Sequence, residues 1–262
     1  MNRKDNGGKW QPLIDAFQEI LENSFEGDFE DLRRYAGTLK HHIIGKEKLY
    51  IGLKRVINEC LAKVRSKVMA SSDDNFLRTL NIAWGQHKTS MVRIRSIILN
   101  TIANDDMSKM KDAERYGLTK FVDEVIRWPG VDDRLLTILL DMTEKERRGE
   151  KIVRVDLQCT CHLLINLIMP WDLGYYSMYE EDFKKPFLKK SAEFYSKESD
   201  RFLAANSEAK YVEYIEQQMI AEKERATFYL DESTMKGLVD MLETIRLRKL
   251  HLLIITRGRI KC

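Results

Sequence analysis

His41 and His42 are adjacent, and His87 stands alone within an apolar-periodic stretch. A zinc site built on a helix wants histidines at i and i+4 with a third ligand nearby, and adjacent histidines do not supply that. His41 and His42, beside Tyr35 and Lys40, therefore read as a solvated last helical turn. His87 reads as a structural histidine whose ring nitrogens bond to neighbouring groups. The carboxylate clusters Asp105-Asp106, Glu180-Glu181-Asp182 and Glu222/Glu224 are expected at helix starts or on exposed helix faces. There they would complement the helix dipole or pair with Lys and Arg three or four residues away. Cys60, Cys159 and Cys161 read as core or boundary residues, the last two pointing to different faces of one helix. Cys262 is the final residue, so it does not form a prenylation box. The sequence has no G-x-S-x-G, no phosphate-binding lysine loop, no G-x-G-x-x-G and no zinc spacing. The expectation is a protein that is not an enzyme, with no catalytic residue, metal or cofactor.

The elements that carry these residues are helical. Leu49, Leu53, Val56, Cys60, Val64 and Val68 step by three and four, and Phe76, Leu80, Trp84, Met91, Ile94 and Ile98 mark a further, longer helix. No segment alternates with period two, so no sheet is expected. Ten helices are predicted, at roughly 10–24, 28–43, 46–70, 74–104, 109–127, 131–148, 153–169, 181–197, 199–230 and 233–253. Asp28 reads as an N-cap, and Ser71, Ser72 and Asp73 as groups that satisfy the free N–H groups of the fourth helix. Trp128-Pro129-Gly130 breaks the chain near its middle, Pro170 is placed at the end of the seventh helix, and Asp231–Thr234 starts the tenth. Five helices on each side of Pro129 predict an all-α helical solenoid of two diverged repeats, 1–129 and 130–262.

Composition narrows the function. With 44% hydrophobic and 32% charged residues the chain can bury a sizeable core, and a net charge of only +3 gives no reason to expect nucleic acid. The stretches Leu163–Trp171 and Leu250–Ile255 are too short to span a bilayer, and no membrane partner is expected. The polar opening MNRKDNGGK has no secretory h-region, which predicts a cytoplasmic or nuclear protein with reduced thiols. From Arg246 onward, Arg246, Arg248, Lys249, Arg257, Arg259 and Lys261 flank Leu250 and Leu252–Ile255 without an acid. This ending reads as the uncapped end of a repeat, with a docking or membrane-surface helix as the alternative.

Tyr179–Thr234 carries the run FL-x-x-S-x-x-FY-x-x-ES-x-x-FL, then E-x-x-R-x-x-x-YLD-x-ST. Together with LYIGLKRVI (Leu49–Ile57), the W-x-x-H-x-x-x-M pattern at Trp84, His87 and Met91, and the ERRGE turn after Thr143, it resembles the N-terminal repeats of cullins, from about Trp10 to Thr234. The segments FEDLRRYAGTL, KLYIGLKRV and SAEFYSKESDRFLAANS look like the cullin class that binds BTB-domain adaptors, the cullin-three type. The resemblance implies a non-catalytic scaffold of a ubiquitin ligase, whose first repeat binds the adaptor through its second and fifth helices and an apolar arm ahead of the first.

Carried over residue by residue, the resemblance offers Phe29, Glu30, Arg33, Tyr35, Gly37, Glu114 and Arg115 as partner-contacting positions. Phe29 and Glu30 match the family; Phe29 fits the buried stripe of its own helix equally well. Arg33 and Gly37 stand where the family presents tyrosines, Tyr35 is displaced to another face, and Glu114 replaces a further tyrosine, while Gly117 and Leu118 match. The family's Y-[LM]-D-R element is replaced by TIANDD (Thr101–Asp106), and only nine polar residues precede Trp10. Buried tyrosines at interfaces are worth about 2 kcal/mol or more each. Losing two would cost roughly 4 kcal/mol, about a thousandfold in affinity if additive. The departures imply either weak BTB binding or a partner with a different surface.

A whole cullin continues through a third repeat and a C-terminal region that recruits the RING subunit. The present residues hold about two repeats, so direct RING binding is not expected of them. Three readings follow: an adaptor-binding scaffold, a decoy that sequesters BTB adaptors, and a helical interaction module outside ubiquitin transfer.

Overall fold

The computed structural model describes residues 8–39, 43–101, 108–171 and 174–260. Among them are ten α-helices: α1 (Gln11–Glu22), α2 (Phe29–Thr38), α3 (Ile43–Ala70), α4 (Asp73–Asn100), α5 (Ser108–Phe121), α6 (Asp132–Arg147), α7 (Arg154–Asn166), α8 (Lys185–Ala205), α9 (Glu208–Tyr229) and α10 (Glu232–Ile260). Two π-helical turns extend this set, Val122–Ile126 after α5 and Tyr179–Lys184 before α8. The first closes with the Arg127 N–H donating to the Val122 carbonyl at 2.8 Å. No described helix is long and apolar enough to cross a membrane.

The all-α class holds, with one addition. Strands β1 (Ile168–Trp171) and β2 (Gly174–Ser177) form an antiparallel hairpin, with Pro170 opposite Tyr175. Helix α7 therefore ends at Asn166, and Pro170 lies in a strand rather than acting as the helix stop. A proline is tolerated there because each strand of a two-stranded ribbon has an unpaired edge.

The chain forms two compact units, Met1–Leu135 and Leu136–Cys262, so the division falls within α6. In the first, α1 buries Leu13, Ile14, Phe17 and Ile20 and packs against α3 and α4. It ends on Asn23 in the left-handed region (φ 63°), whose N–H caps the last turn. Helix α2 starts at Asp28, whose Oδ1 accepts from the Glu30 N–H at 2.8 Å, the N-cap expected from sequence. Ser72 does not cap α4 with its side chain; its Oγ accepts from the Asn75 amide at 3.1 Å instead. Arg134 takes Asp73 (Nε to Oδ1, 2.7 Å) and the Ser71 and Met69 carbonyls, tying the start of α4 to the start of α6. After α5, the Arg65 guanidinium lies 3.6 Å over the Trp128 ring, and Gly130 takes a positive φ of 88° that a side chain would strain.

In the second unit, Tyr195, Ile215, Met219 and Leu242 form a buried cluster across α8, α9 and α10. The break expected after residue 197 does not occur, since α8 runs to Ala205 and Ser207 caps α9. Ser199 is buried within α8 and accepts from the Tyr211 hydroxyl at 3.1 Å, so it serves tertiary packing. Helix α10 begins where Asp231 accepts from the Ser233 N–H at 2.9 Å, and runs to Ile260, beyond the expected end.

Candidate functional site

The candidate positions on α2 follow from helical spacing. Successive residues turn by about 100°, so Glu30, Arg33 and Gly37 share one ridge, with Phe29 at its edge and Ala36 and Leu39 buried on the other side. Glu30 and Arg33 pair at 3.2 Å, and Arg34 pairs with Asp31 at 2.9 Å. Phe29 is half-buried, its ring 4.8 Å from that of Phe25 and 5.1 Å from the Arg93 guanidinium of α4. It is therefore both a packing residue and an available surface. A Cβ added at Gly37 would meet nothing within 4 Å, so this position is a gap in the ridge. Tyr35 stands apart, its hydroxyl donating to the Lys9 carbonyl at 2.7 Å and tethering the chain just ahead of buried Trp10.

On α5, Ala113, Gly117 and Phe121 face the core. Glu114 is not free for a partner: its Oε2 accepts from Arg95 of α4 at 2.9 Å, and only 23% of its side chain is exposed. Arg115 is exposed. Both α2 and α5 pack against α4, which sends Arg93 to Phe29 and Arg95 to Glu114. The structure thus gathers Phe29, Glu30, Arg33 and Gly37 on one face of α2, engages Glu114 within the unit, and sets Tyr35 aside.

The same helix pair explains the Trp84, His87 and Met91 pattern. The three residues recur at i, i+3 and i+7 along α4 and meet α5. Trp84 lies edge-on to Phe121 at 5.1 Å, the His87 Nε2–H donates to the Gly117 carbonyl at 2.9 Å, and Met91 fills the place a Gly117 Cβ would take, 2.5 Å from its Sδ. His87 is buried, and burial lowers its pKa to about 4, so it is neutral and structural, as the sequence suggested. The α5 helix can approach α4 this closely because residue 117 has no side chain.

Sequence reasoning overlooked an aromatic and cationic patch between α3 and α5. Lys54 of α3 lies 4.6 Å over the Tyr50 ring and 4.9 Å over the Tyr116 ring, and the Tyr116 hydroxyl donates to Asn58 at 3.4 Å. The signal was the Tyr50/Lys54 spacing of four on one helix, which names a local pair but not Tyr116, brought in by the packing of α5.

Glu222 corrects the expectation that the carboxylate clusters all lie on exposed faces or at helix starts. It is 1% exposed and accepts two bonds from Arg147, Nε to Oε1 at 3.0 Å and Nη2 to Oε2 at 2.9 Å. Tyr195 (2.7 Å) and Arg225 (2.5 Å) also donate to it. Burial alone would raise the Glu222 carboxyl, but Arg147 and then Arg225 and Tyr195 hold it below its ordinary value. Glu146 completes the network, accepting from the Tyr229 hydroxyl at 2.8 Å and from Arg154. Every charged group here has a partner, which is the arrangement of a structural core and not of a poised acid or base. Glu224 is exposed, and Glu180 and Glu181 pair with Lys184 and Lys185 four residues on, as expected. Cys60 and Cys161 are buried thiols, pushed up chiefly by burial to about 11 and about 12; Cys159 is exposed. His41, His42, Asn104–Asp106 and Cys262 lie outside the described residues.

Comparison with known proteins gives a consistent result. The family model described as "Cullin alpha solenoid domain" matches residues 10–257. Cullin-3 of Dictyostelium discoideum is 35% identical over 243 residues, covering 89% of this chain and 30% of that protein. Cullin-3A of Arabidopsis thaliana is 33% identical over 237 residues, covering 89% and 31%. Cullin-3 of Caenorhabditis elegans is 30% identical over 241 residues, covering 90% and 30%. The chain thus spans about a third of the length of these relatives.

Proposed function

The chain belongs to the cullin family, and from that premise we propose that it is a non-catalytic scaffold whose first unit receives a BTB-domain adaptor in a ubiquitin ligase. The two units would act as two cullin-type repeats, the first for adaptor binding, in a cytoplasmic or nuclear protein. The observation that carries this reading is the α2 ridge. Phe29 and Glu30 occupy it with accessible side chains, while the packing beneath it is complete, from Ala36 and Leu39 to the α4–α5 contact at His87 and Gly117. A rigid helical face with a half-buried aromatic at one edge is the form such docking surfaces take.

Isothermal titration of the purified chain against a panel of BTB domains tests the proposal. Binding at micromolar Kd or tighter, weakened by Phe29→Ala and Glu30→Ala, is the expected result. Absence of binding across the panel would remove the adaptor role.

One observation favours a second reading, that of a helical interaction module with a partner outside this class. Glu114 is held by Arg95, so α5 offers a neutralised pair where an adaptor-binding helix would present an aromatic anchor.

A further inference from the structure

Arg33 is the least satisfied group on the α2 ridge. Its side chain is 40% exposed and pairs with Glu30, itself 63% exposed, through one nitrogen at 3.2 Å. Its Nε is buried and has no hydrogen-bond acceptor. A guanidinium carries five donors in a planar fork, so the contact with Glu30 leaves most of that capacity unused. A desolvated donor without an acceptor is unfavourable, so whatever draws the guanidinium outward and gives Nε an acceptor gains more than the new bond alone. One turn further on, at the i+4 position beside Arg33, Gly37 leaves open space above the helix.

Resting on the adaptor reading, we infer that the partner surface seated on α2 presents a carboxylate to the Arg33 fork and, next to it, a bulky side chain that fills the space over Gly37. The chemistry is directional. Glu30–Arg33 and Asp31–Arg34 already balance charge along the helix, so net attraction to an acidic surface is small. What distinguishes Arg33 is geometry, since two parallel N–H groups match the two oxygens of a carboxylate. Glu114 offers no comparable handle, because Arg95 occupies it. The two features together select among adaptors. A partner with an acid and a large neighbour fits, and one shaped around a protruding side chain at position 37 does not.

The test is titration of the full chain against the same panel of BTB domains with Arg33→Lys, Arg33→Met and Gly37→Leu. Both positions are accessible and Gly37→Leu raises helix propensity, so the variants fold; thermal melts check this. For a domain that binds the native chain, Arg33→Lys keeps the charge but not the fork. The expected result is a loss of about tenfold or more for Arg33→Lys and Arg33→Met, and a similar loss for Gly37→Leu. If a BTB domain binds the native chain and all three variants equally, this inference is overturned while the adaptor reading stands. If no BTB domain binds the native chain, the adaptor reading fails and this inference fails with it.

Discussion

Arg147 and Glu222, 75 residues apart in sequence, meet in the core of the second unit through two parallel hydrogen bonds of 3.0 and 2.9 Å, with 4% and 1% of their side chains exposed. Arg147 belongs to the ERRGE turn and Glu222 to the E-x-x-R-x-x-x-Y run. The two segments that most clearly carry the family resemblance are thus halves of one buried ion-pair network. Removing one partner of such a pair leaves the other charge buried and uncompensated, which costs about 3–5 kcal/mol. Glu222→Ala should lower unfolding stability by that amount in a denaturant titration, while Glu224→Ala, two residues away and exposed, should change it by less than about 0.5 kcal/mol.

His87 sets an acid sensitivity in the first unit. Its folded pKa of about 4 lies below the ordinary imidazole value of about 6.5, so the unfolded chain binds a proton that the folded chain refuses. Stability from this group is fully present above pH 6.5 and falls as pH drops toward 4. The total is about 3 kcal/mol, from roughly 1.4 kcal/mol per pH unit. Unfolding measured between pH 7 and 4 should show that decline, and His87→Gln should flatten it while destabilising the protein at pH 7.

Gly117 is required by Met91. A methyl group there would sit 2.5 Å from the Met91 Sδ and Cε, inside a packed interface where Met91 is 1% exposed. Gly117→Ala should destabilise by about 1–3 kcal/mol, the usual cost of overpacking. Combining it with Met91→Ala should cost less than the sum of the two single changes, because the same space is shared.

Tyr35 separates structure from docking. Its hydroxyl serves Lys9, on the flank of α2 away from Arg33 and Gly37. Tyr35→Phe should cost about 1 kcal/mol of stability and leave the affinity for any BTB domain that binds the native chain unchanged. An affinity loss matching that of Glu30→Ala would mean that the docking face wraps round α2 beyond the ridge of Glu30, Arg33 and Gly37.

The helices were legible because their apolar residues recur with the helical period over many turns, as in Leu53, Val56, Cys60 and Val68 of α3. The hairpin was not: four-residue strands are too short to establish an alternation, and Pro170 reads equally well as a helix stop. Glu222 was misread because Glu222-Lys223-Glu224-Arg225 looks like a solvated face. Its register gives the correct answer, since Ile215, Met219, Glu222, Ala226 and Tyr229 step by four and three along the buried stripe of α9. A buried acid demands a cation from elsewhere in the chain, and nothing local names Arg147. The same limit applies at the candidate face. The resemblance marked Glu30, Arg33, Gly37 and Glu114 alike as contact positions, but the capture of Glu114 by Arg95 depends on how α4 and α5 pack.

A BTB-type adaptor seated on the α2 ridge of the first unit would shield the backbone amides of that helix from solvent. Hydrogen–deuterium exchange of the full chain, with and without a saturating BTB domain, tests it most directly. Docking on this ridge slows exchange in Phe29–Thr38 and in the α5 segment around Arg115 and leaves α8 and α9 unchanged. Slowed exchange confined to the second unit, or none in α2 at saturation, would contradict it.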